Sequence, residues 1–105
     1  MKTNFDLKNK LVLVTGASSG IGYSVSKEFS KYNARLALLG RNREKLLDLK
    51  NELNKDGKDA EIFTFDLNQT ENIPCLVKKI ESQFNDTVDI LVNSAGIAVL
   101  GLIEN

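Results

Sequence analysis

Hydrophobic residues fall along this chain in short blocks that switch between two periods. Leu11 to Thr15 is a continuous apolar run closing on a threonine, the pattern of a strand buried on both faces. Ile21, Val25 and Phe29 then recur at four-residue steps, which puts them on one face of a helix. Arg35 to Leu39 is a second short apolar run. From Arg43 to Asp56, Leu46, Leu49 and Leu53 keep helical spacing, and Gly57 supplies a stop signal. Ala60 to Phe65 is rich in Ile, Phe and Thr and reads as a third strand. Ile73, Leu76, Val77, Ile80 and Phe84 make the clearest amphipathic helix, with Pro74 in its first turn, where a missing N–H costs little. Val88 to Val92 is a fourth strand. No internal repeat, low-complexity tract or linker interrupts the series.

The order is β-α-β-α-β-α-β. Such alternation, with strands apolar on both sides, predicts a parallel sheet covered by helices. Right-handed crossovers then give a doubly wound α/β arrangement with strand order 3-2-1-4. The pattern stops just beyond the fourth strand, so the expected sheet is truncated there. On that expectation Ile90, Leu91 and Val92 present an unpaired outer edge. Leu100, Leu102 and Ile103 lack cover, and the isolated chain is marginally stable and self-associates.

Composition narrows the partners. The 105 residues carry 14 Lys and Arg against 14 Asp and Glu, and no His. One small domain is the natural reading of that length. The charges are mixed rather than blocked, so there is no basic patch for nucleic acid. Met1 to Lys10 is polar, without the apolar core of a signal peptide. The longest apolar stretch, Ile97 to Ile103, is far short of a membrane span. Without histidine, no His-based metal or catalytic site can form. Cys75 is the single cysteine; it excludes an internal disulfide and fits a reducing compartment, so a cytoplasmic location is expected. It falls off the face defined by Ile73, Val77 and Ile80, as an exposed thiol with no charged neighbour to activate it.

The strand ends carry the chemistry, because ligands of such sheets bind at the carboxyl ends of the strands. The first strand runs into Thr15-Gly16-Ala17-Ser18-Ser19-Gly20-Ile21-Gly22 and then a helix. A helix N-terminus offers unpaired N–H groups and partial positive charge, and glycines let a pyrophosphate approach the backbone. The spacing G-x-x-x-G-x-G differs from G-x-G-x-x-G, and no Lys follows as in a P-loop. A tight turn with no ligand is the alternative. The second strand ends in Gly40-Arg41-Asn42. A NAD-selective site places Asp or Glu where Gly40 stands. Arg41 is a planar, permanently charged fork suited to a 2′-phosphate, which favours NADP(H) over NAD(H); otherwise it is a solvated surface charge. The third strand ends in Asp66-Leu67, where a carboxylate could accept from an adenine amine or simply close a turn. The fourth ends in Asn93-Ser94-Ala95-Gly96.

Thr-Gly-x-x-x-Gly-x-Gly on the first strand and Asn-Ser-Ala-Gly on the fourth resemble, in order and placement, the motifs of the short-chain dehydrogenase/reductase family. The family's Asn-Asn-Ala-Gly departs here only at Ser94, a small residue that still donates and accepts. The resemblance covers nearly the whole chain. It implies a Rossmann-like NAD(P)-binding domain, partial over residues 1–105, from an oxidoreductase that interconverts a carbonyl and an alcohol by hydride transfer. It implies that Gly16, Ser18, Ser19 and Ile21 surround the cofactor's phosphates and ribose. Gly20 and Gly22 then permit the turn and close helix packing. Arg41 with Asn42 meets the 2′-phosphate, Asp66 and Leu67 the adenine, and Asn93, Ala95 and Gly96 lie along the ribose. It further implies a small-molecule carbonyl or alcohol substrate and a homo-oligomeric parent enzyme.

Family members carry out proton transfer with a Tyr-x-x-x-Lys pair and an upstream Ser, placed after a fifth strand. Here the expectation is that this catalytic part is absent and that the chain alone is inactive. Tyr23-Ser24-Val25-Ser26-Lys27 has the spacing but lies in the helix after the glycine turn, where Tyr23 and Lys27 are one turn apart on a helix surface. Two other readings use the same features: a stand-alone, non-catalytic dinucleotide-binding module, and the cofactor half of an enzyme such as a sugar-nucleotide epimerase.

Overall fold

The structure is a computed structural model, and it describes residues 6–66, 70–93 and 99–102. Five strands form one sheet in the order β3-β2-β1-β4-β5. They are β1 (Leu11–Thr15), β2 (Arg35–Gly40), β3 (Ala60–Thr64), β4 (Ile90–Asn93) and β5 (Val99–Leu102). The helices are α1 (Gly20–Ser30), α2 (Arg43–Lys55) and α3 (Ile73–Phe84), with a short 3-10 turn, Thr70–Asn72, leading into α3. The first four strands are mutually parallel in the expected order 3-2-1-4.

The sheet is buried on both faces, as parallel sheets are. On one face Val12, Val14, Leu36, Leu38 and Val92 pack with Leu46, Leu49 and Leu53 of α2. On the other, Leu11, Leu13, Ala37, Leu39 and Phe63 meet Ile80 and Phe84 of α3. The leucine spacing of α2 and the Ile80–Phe84 end of α3 therefore point inward as expected. Gly57 follows α2 with φ of 78°, a left-handed value that glycine adopts without strain.

One expectation is corrected. The outer edge of β4 is not bare. Strand β5 returns antiparallel along it, pairing Ile90 with Leu102, Leu91 with Gly101, Val92 with Leu100 and Asn93 with Val99. Antiparallel return needs only a short connection, here residues 94–98, whereas a further parallel strand needs a crossover of a dozen residues or more. Leu100 and Leu102, expected to lack cover, stand in this returning strand, and Ile103 lies outside the described residues. The outer edge of the sheet is thereby moved from β4 to β5.

Helix α1 sets its small residues, not its apolar ones, against the sheet. Ile21 is 62 % exposed, and Val25 and Phe29 only flank the core. The residues facing the sheet are Gly22, Ser26 and Ser30. Small residues at four-residue steps bring the helix axis close to the sheet. Their hydroxyls are satisfied inside the helix: Ser26 Oγ donates to the Gly22 carbonyl at 2.7 Å and Ser30 Oγ to the Lys27 carbonyl at 2.6 Å. Polar residues can therefore occupy a buried face without an orphaned donor.

At the amino ends of the strands the sheet is tied by polar contacts. Arg35 Nη1 meets Asp86 at 3.1 Å, Nε meets Asp59 at 3.3 Å, and Nη2 donates to the Phe84 carbonyl at 2.6 Å. Asp89 accepts from the Leu11 N–H at 2.9 Å and its own N–H donates to the Leu11 carbonyl.

Between helices α1 and α2, Glu52 takes hydrogen bonds from Tyr23 and from Lys27, the latter at 2.7 Å. Hydrogen bonds from Lys27 and then Tyr23 hold the Glu52 carboxyl below its ordinary 4.5. The hydrogen bond to Glu52 raises both partners, Tyr23 above 10.0 and Lys27 above 10.5. A depressed carboxylate stabilises above its unfolded value and is lost as pH falls through the folded one. A raised Lys or Tyr stabilises below its unfolded value and is lost as pH rises through the folded one.

The clamp is thus complete between about pH 5 and pH 10, and Tm followed against pH should show it. The difference between wild type and Glu52→Gln is expected to be flat across that window and to shrink below about pH 4, as Glu52 is protonated in both states. For α1, Ser26→Leu is expected to cost about 2–3 kcal/mol in urea unfolding by forcing the helix off the sheet. Val25→Ala, on the flank, should cost about 1 kcal/mol or less. The reverse ranking would restore the Ile21–Val25–Phe29 face as the inward one.

Candidate nucleotide site

The ties at the amino ends leave the opposite ends of the parallel strands as the open rim of the sheet. Strand β1 leaves through Gly16, whose φ of 64° suits glycine, and into buried Ala17. The Ala17 N–H donates to the Leu39 carbonyl at 2.9 Å, fastening the turn to β2. Ser19 caps α1. Its Oγ accepts from the Gly22 N–H at 3.1 Å and donates to the Gly16 carbonyl at 2.7 Å. The first helical bond runs from the Tyr23 N–H to the Ser19 carbonyl. The N–H groups of Gly20 and Ile21 therefore sit ahead of the helical ladder, at the positive end of an eleven-residue helix with no acidic residue in its first turn. A β-carbon at Gly20 would meet nothing within 4 Å, so the space above this backbone is open. The turn thus offers donors and room to an anion.

Strand β2 ends at Gly40, and Arg41 and Asn42 follow, both exposed. Asn42 caps α2, its Oδ1 accepting from the Lys45 N–H at 3.1 Å. The local fold thus uses that oxygen itself. Arg41 makes no ion pair with any described residue, nor do Arg43 and Lys45. Arg41 and half-buried Asp66 line one cleft of about 360 Å³ with Thr64 and Phe65. Ser18, Ser19 and Gly20 line a second, of about 340 Å³, with Tyr23, Lys45 and Asp48.

Asn93 ends β4 opposite Thr15 of β1, and Thr15 Oγ1 donates to Asn93 Oδ1 at 3.1 Å. The central strands are therefore bridged at the rim by side chains as well as by the ladder. Leu67, Ser94, Ala95 and Gly96 lie outside the described residues. Cys75 is exposed on α3. Among the described residues no cluster of His, Cys, Asp or Glu could hold a metal ion, and no helix is long and apolar enough to cross a membrane.

The structure brings Gly16, Ser18, Ser19, Gly20 and Ile21 together with Arg41, Asn42, Asp66 and Asn93 along one rim. Gly22 lies beneath, against the sheet. The Tyr23–Lys27 pair does not join the rim chemistry: both side chains are turned onto Glu52. Sequence reasoning missed two residues. Thr15 was legible as the parallel-register partner of Asn93 once both strand ends were aligned. Lys45 sits one turn into α2, and only the fold brings it beside Ser18.

Comparison with known proteins bears on the family and the fold. The family model described as short chain dehydrogenase matches residues 10–105. An uncharacterized oxidoreductase of Staphylococcus epidermidis is 38 % identical over 90 residues, which are 86 % of this chain and 37 % of the relative. The L-sorbose reductase of Gluconobacter frateurii, solved with NADPH and L-sorbose, superposes with a TM-score of 0.81 at 29 % identity, over 90 % of this chain and 36 % of its own. A candidate D-mannonate oxidoreductase from Haemophilus influenza, solved with NAD, superposes at 0.82 with 34 % identity, over 90 % and 33 %. The chain spans about a third of the length of these relatives. Its strand order, its glycine turn and a match running through nearly all its residues make it a member of the short-chain dehydrogenase family of oxidoreductases.

Proposed function

We propose that these residues are the N-terminal, cofactor-binding portion of an NADP(H)-dependent oxidoreductase that interconverts a carbonyl and an alcohol. The observation that carries the cofactor reading is the rim itself. An open, capped helix N-terminus stands beside a strand that ends in Gly40-Arg41, with no carboxylate at its tip. The relatives solved with cofactor include one with NAD and one with NADPH, so the preference rests on this chain's own residues.

In this reading NADP(H) supplies the hydride. The N–H groups of Gly20 and Ile21 bind the pyrophosphate, with Gly16 shaping the turn and Gly22 seating the helix. Ser18 and Ser19 border the same cleft. Arg41, free of any ion partner among the described residues, grips the 2′-phosphate as a fork, with Asn42 holding the start of α2 beneath it. Asp66, with Leu67, receives the adenine. Asn93, Ala95 and Gly96 support the ribose, with Asn93 oriented by Thr15. The one Tyr-x-x-x-Lys spacing in these 105 residues, Tyr23–Lys27, holds α1 to α2 and is not the acid–base pair. Substrate chemistry belongs to residues outside this segment, and a cytoplasmic location and a homo-oligomeric parent are part of the same proposal.

Fluorescence titration of the chain with NADPH and NADH tests the preference. Arg41→Ala is expected to weaken NADPH binding by about 1.5–3 kcal/mol more than NADH binding; equal losses would refute the 2′-phosphate assignment. Incubation with NADPH and a panel of carbonyl compounds should give no turnover. Turnover abolished by Tyr23→Phe would overturn the structural role given to Tyr23.

A further inference from the structure

Gly40 is glycine for a reason its backbone does not supply. It closes β2 as ordinary strand, outside the positive-φ glycines Gly16 and Gly57. It pairs in register with Thr64, and its carbonyl accepts from the Phe65 N–H at 2.9 Å. Any L residue could adopt that conformation. By alternation it faces the same side as Leu36 and Leu38, toward α1 and α2. A β-carbon there would lie 2.9 Å from Ser18 Oγ, 3.4 Å from Leu46 Cδ2 and 3.5 Å from Ser18 Cβ. The first distance is closer than real β-carbons approach, and Leu46 is fully buried. What has to give way is Ser18.

Ser18 can give way only at its hydroxyl. The residues on either side of it are fixed, Ala17 by its bond to the Leu39 carbonyl and Ser19 by the helix cap. Only its hydroxyl can swing. That hydroxyl makes no hydrogen bond to a described residue, so admitting a β-carbon at position 40 means turning it out of its present rotamer.

We propose that Ser18 is a specificity-determining residue of the dinucleotide site, acting as a wedge. Its hydroxyl crowds the place of a β-carbon at position 40 and so disfavours at the tip of β2 the Asp or Glu that a NAD-selective site carries there. Discrimination against NAD(H) is then built by occlusion from the glycine turn as well as by the charge of Arg41, and positions 18 and 40 are coupled. This rests on the cofactor reading above, but the coupling is measurable without cofactor.

The test uses the full chain as wild type, Gly40→Asp, Ser18→Gly and the double variant, each titrated with NADH and NADPH. Gly40→Ala is also melted without cofactor in the Ser18 and Ser18→Gly backgrounds. Gly40→Asp alone is expected to leave NADH affinity within about twofold of wild type. The double variant should bind NADH about tenfold more tightly than Gly40→Asp, the scale of one hydrogen bond to a carboxylate. Gly40→Ala should lower Tm by about 4 °C beside Ser18 and by less than half of that in the Ser18→Gly background. A gain for Gly40→Asp equal to that of the double variant would overturn the wedge. So would equal losses of Tm in the two backgrounds. Wild type binding both cofactors equally would instead remove the NADP(H) preference, while the melts still decide the coupling.

Discussion

The close seat of α1 on the sheet is the constraint on which the remainder depends. Gly22, Ser26 and Ser30 put no bulk between helix and strands, and the two hydroxyls turn back onto the helix's own carbonyls. A helix held that near can begin only a few residues after β1 ends. The chain therefore needs the tight turn that Gly16 provides and the Ser19 cap that starts the helix within it. The same seat aims the unpaired N–H groups of Gly20 and Ile21 across the carboxyl ends of the strands. Larger residues on that face would move the helix outward and carry its N-terminus away from the rim.

Position within the sheet does the rest. Strand β1 is central, with β2 on one side and β4 on the other. Parallel register then sets Leu39 beside Thr15, and Asn93 on its other side. The ends of β1, β2 and β4, three of the four that carry polar motifs, are thereby neighbours, although Thr15 and Asn93 are far apart in sequence. At the other end, Arg35 and Asp89 take up the charges and turn amides. The fold thus leaves Arg41 and Lys45 at the rim without ion partners among the described residues.

Much of this was legible in the sequence. Continuous apolar strands alternating with helical periods gave the parallel order 3-2-1-4, because two-sided burial and right-handed crossover leave few other topologies. The leucines of α2 and the Gly57 stop were read correctly because a wide apolar stripe leaves one inward face. In helix α1 the apolar residues and the small residues both recur every four positions, so the spacing shows a helix without showing which face lies on the sheet. Hydrophobicity pointed to Ile21, Val25 and Phe29, whereas proximity to the sheet selected Gly22, Ser26 and Ser30. Strand β5 escaped because an antiparallel return leaves no crossover helix to announce it. At the site, glycines and strand-end residues were visible as motifs. The Thr15–Asn93 bond, the commitment of Tyr23 and Lys27 to Glu52 and the contact of Ser18 with Gly40 were not, since each joins residues that only the fold brings together.

Backbone amide NMR of the 15N-labelled chain during addition of NADPH asks most directly whether the carboxyl ends of β1 and β2 are a dinucleotide site. The amides of Gly16 to Gly22 and of Arg41 should shift together and saturably. Those near Arg35 and Asp89, at the opposite end of the sheet, should stay still. Shifts confined to α3, or none at the glycine turn at saturating NADPH, would contradict that assignment.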